Sequence, residues 1–194
     1  SAQLQGRGAR VIGIDFSERM IAIAHSRNPE MDYRVDSCSQ LATINDEACD
    51  LVIANYVLMD TPDLDGTMAA FNRVLKPNGL AVLVFCHPCF PQGRAAVGED
   101  GDSVIYHWTI PYFDATKCTD PPWAHFTAEF IWFHRPLSAY WKSFQQAGFV
   151  VVDFEEPRIS KDRFHLARSE KVLRSSRARP YSVAFKLRKQ STSA

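Results

Sequence analysis

A chain of 194 residues with 22 Lys and Arg against 22 Asp and Glu carries no formal net charge, and its 46% hydrophobic and 23% charged residues exclude wholesale disorder and collagen-like repeats. The length suits one domain with a core of its own, and no run of about 18 apolar residues offers a membrane-spanning helix. Five cysteines, an odd number in a chain too large to need disulfide staples, point to a reducing, cytoplasmic setting, and zero net charge argues against bulk affinity for nucleic acid.

Residues 1–5 read as the tail of a helix, stopped by Gly6 and Gly8. Val11 to Ile14 is a short apolar run of the kind that forms a strand buried on both faces, and Asp15 ends it. Ser17 is a helix N-cap, with Met20, Ile21, Ile23 and Ala24 as the buried stripe and Asn28-Pro29 as the stop. Tyr33 to Val35 reads as a strand ending at Asp36, and Asp50 to Asn55 as a second buried strand. Leu64 to Val74 is a helix leading through LKPNG into Leu80 to Cys86, the most apolar strand. Residues 87–127 lack clean periodicity and are rich in Pro, Gly, Trp and Tyr. Leu137 to Ala147 reads as a helix closed by Gly148, followed by strands at Phe149 to Phe154 and Tyr181 to Leu187; residues 191–194 are a frayed tail. Helices alternating with buried strands indicate an α/β doubly wound sheet.

Open α/β sheets bind ligands outside the carboxyl ends of their strands, so the residues there are the candidates. They are Asp15, Asp36, Asn55 and the pair Cys86-His87. A carboxylate has two accepting oxygens and can hold both hydroxyls of a ribose. Asp15 fits that role, or it simply caps the helix that starts near Ser17. Asp36 fits an exocyclic amine, or it closes a turn with Ser37 and Ser39.

Several segments taken in order resemble one family. They are VIGIDFSERM, VDSCSQL, DLVIANYVLMDTPD, FNRVLKPNGLAVLV, the His-Pro-Cys-Phe segment His87 to Phe90, HRPLSAYWKSFQQAGF, EEP at 155–157 and RPYSVAFKLRK. Together they are similar to class I S-adenosylmethionine-dependent methyltransferases of the small-molecule type. The resemblance covers nearly the whole chain. It implies a Rossmann-like α/β sheet of seven strands, the last antiparallel, in a single domain over residues 1–190. It implies S-adenosylmethionine as cofactor, S-adenosylhomocysteine as product and a small molecule as methyl acceptor. It also implies residue roles: Asp15 holds the ribose hydroxyls, Phe16 and Met20 pack near the adenine, and Asp36 accepts from the adenine amine. The backbone of Ser37 and Cys38 lies along the ring, and Asn55 and Tyr56 line the methionine end.

Family members carry a first strand and a GxGxG loop upstream, where backbone approaches the cofactor closely. Here Gly6-Arg7-Gly8 directly precedes the Asp15 strand instead. The expectation is an N-terminally truncated methyltransferase with its first strand missing, left with two sheet fragments and weak cofactor binding or none. A competing expectation is an inactive methyltransferase-like remnant that serves as an interaction module.

Residues 87–135 form an aromatic-rich lid insertion, and a segment this long inside a compact domain is usually functional. Tyr106, Trp108, Tyr112 and Phe113 are the expected substrate-lining residues, within a group that also holds Trp123, His125, Phe126, Trp132, Phe133 and His134. Any single aromatic there could equally be covering the sheet edge. His87, directly after the apolar strand, is the candidate general base; the alternative is a structural histidine held against backbone before Pro88. Cys86 and Cys89 form a C-x-x-C, but no second pair follows, and His107, Cys118 and His125 lack a compact ligand spacing, so no metal is expected. A nicotinamide-dependent oxidoreductase also places an acid after its second strand, but the LKPNG segment and the final strand count against it. Eleven basic and two acidic residues lie between Pro157 and Gln190. They are interleaved with polar residues as on a solvated face, so nucleic acid is not the expected partner.

Overall fold

The computed structural model describes residues 2–90, 94–100, 103–122 and 127–191. The expected residues Trp123, His125 and Phe126, and the tail at 192–194, lie outside the described residues.

A short helix α1 (Ala2–Gln5) leads into strand β1 (Ile12–Asp15) and helix α2 (Glu18–Arg27). Ser17 caps α2, accepting a hydrogen bond from the Met20 amide at 3.3 Å, and Asn28 closes it ahead of Pro29. Strand β2 (Asp32–Val35) runs parallel to β1, and the two form a sheet of their own. Next come β3 (Cys49–Asn55), α3 (Leu64–Val74) and β4 (Leu75–Cys86). Asp63 caps α3 through the Gly66 amide at 2.8 Å. β4 begins five residues before the expected Leu80, although Asn78 takes φ +62 within it, so the turn signal in LKPNG survives as a kink.

The lid consists of two hairpins, β5 (Arg94–Val97) with β6 (Val104–His107) and β7 (Thr116–Asp120) with β8 (Phe130–His134). Their strands have four or five residues and mostly alternate half-buried with exposed positions, which is why no apolar periodicity marks them in the sequence. Helix α4 (Leu137–Gln146) follows, stopped at Gly148 with φ +80, where a side chain would be strained. Then come β9 (Phe149–Glu155), a 3-10 turn (Lys161–Leu166), α5 (Glu170–Ala178) and β10 (Ser182–Lys189). Helix α5 lies in the basic stretch expected to be only a solvated face. Its apolar positions are too few to announce a helix, while Ser169 caps it through the Val172 amide at 3.2 Å.

The main sheet has the order β3-β4-β10-β9. β3 and β4 are parallel; β10 is antiparallel to both its neighbours, as the resemblance implies for the last strand. On one face, Ala81, Leu83 and Phe85 of β4 stand opposite Leu187, Phe185 and Val183 of β10, and all six are buried. α3 and α4 cover this face with Met68, Phe71, Tyr140 and Phe144. β1 and β2 are not hydrogen-bonded to β3, so the described strands do not make one continuous seven-stranded sheet; Ile12 and Ile14 of β1 still pack on the common core.

Candidate active site

Four strand ends share one rim. The Asp36 amide donates to the Asp15 carbonyl at 3.1 Å, so the two aspartates stand next to one another beyond β1 and β2. The Cys38 thiol lies 3.8 Å from the Thr67 hydroxyl at the start of α3, which follows β3. The loop after β2 therefore sits at the same end as Asn55 and Tyr56. Cys86 closes β4 beside them, with the Tyr56 amide donating to the Val84 carbonyl at 2.6 Å.

Both alternatives for the aspartates meet in the structure. Asp15 Oδ1 accepts from the Ser17 amide at 2.8 Å, the capping role, while its Oδ2 takes no hydrogen bond from the described residues. Asp36 is more fully committed. Its Oδ1 accepts from the Ser37 amide at 2.7 Å, and its Oδ2 from the Thr43 amide at 2.7 Å and hydroxyl at 2.8 Å. Burial works to raise the Asp36 pKa, but these hydrogen bonds outweigh it and hold the carboxyl below the usual range. Ser37 and Ser39 hydroxyls pair at 2.9 Å, closing the turn. Beside this rim Phe16 is 83% exposed and Met20 52% exposed. Large apolar side chains left open next to an acid are the informative exception on a protein surface.

Tyr56 takes φ +55, a left-handed conformation that costs a non-glycine residue about 1 kcal/mol and is found where a surrounding structure enforces it. Its hydroxyl bonds Ser182 at the start of β10. The ring faces a cavity of about 370 Å³ that opens off the rim. Asp60, Cys86, Trp132, Arg135, Tyr140 and Tyr181 share its wall. Hairpin β7–β8 is tied over it by the Phe133 amide, which donates to the Met59 carbonyl at 2.7 Å. Although Asp60 is solvent-accessible, the apolar walls strip enough water from its carboxyl to push it up to about 6. Burial likewise drives the Tyr140 and Tyr181 phenols up to about 12, so both stay protonated.

The structure corrects two expectations. Tyr106, Trp108, Tyr112 and Phe113 do not line the cavity. They stack on one another and on Phe90 as an edge-to-face ladder, with Trp108 and Phe113 largely exposed. The Tyr112 hydroxyl serves the fold: it accepts from the Leu137 amide at 2.9 Å, capping α4, whose N-cap Pro136 has no side chain for the purpose. His87 is not placed as a general base. It is 4% exposed and off the cavity wall, and both ring nitrogens are engaged. The Cys89 amide donates to Nδ1 at 3.1 Å, so the ring proton sits on Nε2, which donates to Glu156 Oε1 at 2.8 Å. The structural alternative for His87 is the one realised.

Sequence reasoning missed Asp60, Trp132, Arg135, Tyr140 and Tyr181 as a group. Asp60 falls within LMDTPD, where an acid before Thr-Pro reads as a turn. Tyr140 falls on the apolar stripe of α4, where it reads as core. Among the described residues no three His, Cys, Asp or Glu side chains gather as a metal site, and all five cysteines are free.

Residues 1–83 match a family described as a methyltransferase domain. The demethylmenaquinone methyltransferase of Staphylococcus carnosus is 28% identical over 173 residues, covering 86% of this chain and 68% of that protein. The enzyme of the same name from Chlorobaculum tepidum is 32% identical over 85 residues, 44% of this chain. This chain spans about a third of the length of that relative, 34%. An S-adenosylmethionine-dependent methyltransferase from Mesorhizobium loti superposes with a TM-score of 0.75 at 18% identity, over 92% of this chain and 80% of its own.

Sequence and fold together place the chain among the class I S-adenosylmethionine-dependent methyltransferases.

A Burkholderia thailandensis N-methyltransferase with S-adenosylhomocysteine bound shares the fold, with a TM-score of 0.57 at 16% identity over 98% of this chain and 65% of its own. As named, the relatives are enzymes, and none favours the reading of an inactive interaction module. In a methyltransferase of this fold the rim described above suits the adenosine part of the cofactor. Asp15 offers an unused carboxylate oxygen, and Phe16 and Met20 offer exposed apolar surface. Gly6 and Gly8 precede β1 and so lie at its amino end, away from the rim.

Proposed function

We propose that the protein transfers a methyl group from S-adenosylmethionine to a small-molecule acceptor. The observation that carries this reading is the free Asp15 Oδ2 beside Asp36 on one rim, flanked by Phe16 and Met20. The cofactor, when bound, supplies an electrophilic methyl on a sulfonium. What remains for the protein is alignment and exclusion of water. Asp15 holds the ribose, Phe16 and Met20 cover the adenine, and the spare lone pair of Asp36 Oδ1 accepts from the adenine amine while Ser37 and Cys38 run along the ring. Asn55 and the strained Tyr56 stand between this rim and the cavity, where the methyl group has to cross. The acceptor sits in the cavity under β7–β8.

Saturation-transfer difference NMR with S-adenosylhomocysteine tests the rim even where binding is weak. Saturation is expected on the ribose and adenine protons. Replacing the carboxylate in Asp15→Ala should weaken the dissociation constant by about tenfold or more, the scale of a lost charge-assisted hydrogen bond. No transfer to the adenosine, or an unchanged constant in Asp15→Ala, removes the rim from the cofactor site.

A further inference from the structure

The cavity under β7–β8 has a wall chemistry that selects its occupant, an inference that rests on the methyl-transfer reading for the reaction but not for binding. Rings of Tyr56, Trp132, Phe133, Tyr140 and Tyr181 surround it, and its volume of about 370 Å³ suits one or two fused rings. Two polar groups stand open among them. The Trp132 side chain is 6% exposed, and its Nε1–H is buried without a hydrogen-bond partner. A buried donor left unpaired is costly, so a ligand that brings an accepting atom is favoured there. Asp60 supplies the complementary acceptor. Loss of water is what shifts its carboxyl, and among the described residues no cation in the wall is paired with it.

The charge pattern disfavours the other occupant that aromatic rings and an acid could hold, an alkylammonium cation. Arg135 already lies over the Phe133 ring, 5.3 Å from its centroid, so an internal cation occupies that ring face. Its guanidinium stays in place through bonds to the carbonyls of Thr61 at 2.8 Å and Pro62 at 2.9 Å. The formal charges of Arg135 and Asp120, both on the wall, cancel. A cation, moreover, brings no acceptor for Trp132.

We propose that the acceptor is a neutral, planar aromatic molecule carrying a hydroxyl or ring N–H that hydrogen-bonds the Asp60 carboxylate, and that Asp60 takes that proton during transfer. As the bond from the methyl carbon to the heteroatom forms and the methyl–sulfur bond breaks, the proton on the heteroatom passes to Asp60. One carboxylate and one sulfonium become one carboxylic acid and one thioether, so charge balances. Asp60, being accessible, returns the proton to water.

Isothermal titration of the chain with naphthol and with its methyl ether, which has the same shape without the donor, tests the assignment without requiring cofactor. Naphthol is expected to bind about tenfold tighter than the ether, the scale of one hydrogen bond to a charged group. In Asp60→Leu that ratio should fall to about one through weaker naphthol binding, and in Asp60→Asn, which keeps an acceptor without the charge, to an intermediate value. Circular dichroism of both variants controls for folding, and Asp60→Asn keeps the test decisive if the leucine variant is unfolded. Equal affinity for the two probes in the unmodified chain, an unchanged ratio in both variants, or tighter binding of benzyltrimethylammonium than of naphthol overturns the proposal. Failure of S-adenosylhomocysteine to bind the same preparation, with the naphthol preference intact, would instead sink the methyl-transfer reading and leave the pocket assignment standing.

Discussion

Phe85→Ala is expected to lower the free energy of unfolding by about 4 kcal/mol, measured as a fall in urea midpoint at unchanged m. Phe85 lies on β4 at 0% exposure, between the sheet and the covering helices. Its ring stacks on Tyr140 at 4.3 Å and on Phe185 at 5.9 Å, and Phe185 in turn meets Phe144 at 5.2 Å. Truncation to alanine removes the ring's own transfer free energy and leaves a void that the paired strands β4 and β10 cannot close, because their hydrogen bonds fix their spacing. The change should also reach the site. Tyr140 forms part of the cavity wall, and Phe85 is what its ring rests on. Naphthol affinity should therefore fall alongside stability, whereas Phe144→Ala, away from the cavity wall, should cost comparable stability and spare the probe. A loss under about 1 kcal/mol for Phe85→Ala would show that the core repacks around the gap.

The second large effect belongs to Arg73, near the end of α3. One of its terminal nitrogens donates to the Ile44 carbonyl at 3.0 Å and to Asp46; the other donates to the carbonyls of Gln40 at 3.0 Å and Leu41 at 2.8 Å. One planar guanidinium thus gathers the loop between β2 and β3, in which Leu41 takes φ +47 and Glu47 φ +49. Arg73→Ala is expected to destabilise the chain by about 2–3 kcal/mol, since three carbonyls lose a charged donor and alanine replaces none of the bonds. Arg73→Lys should recover only part of this, because a single ammonium cannot span the same carbonyls. The same loop carries Thr43, whose amide and hydroxyl hold Asp36 in place. S-adenosylhomocysteine affinity should therefore drop in Arg73→Ala although the residue is not on the rim. Hydrogen exchange that speeds up at residues 37–46 and nowhere else would locate the effect in this loop.

How much was legible depends on how local the signal is. The strand ending at Asp15, the Ser17 cap, the helix Leu64 to Val74 and the Gly148 stop are each carried by a few adjacent residues, and each is found within a residue or two of its expected place. The apolar run Leu80 to Cys86 announces a central strand because it is buried on both faces. The hairpins at 94–134 were not legible. Their strands are short and half-exposed, so their pairing depends on the surface beneath them and leaves no periodicity to read. The same holds for the aromatics: composition marks the lid as aromatic, but which rings reach the cavity and which form a ladder outside it is not a property of spacing.

The sequence by itself determined the alternation of strands and helices, the acids at the strand ends and the family these resemble. Each follows from burial period, turn chemistry or ordered motifs along the chain. Tertiary structure alone decided that His87 is locked between the Cys89 amide and Glu156, and that Asp60 shares a cavity with Trp132 and Tyr140. The physical reason is distance along the chain. His87 and Glu156 are separated by 69 positions, and the cavity draws its wall from the segments after β3 and β4, the β7–β8 hairpin, α4 and the start of β10. A residue's chemistry at such a place is set by the groups that folding brings against it, and these are written nowhere near it in the sequence.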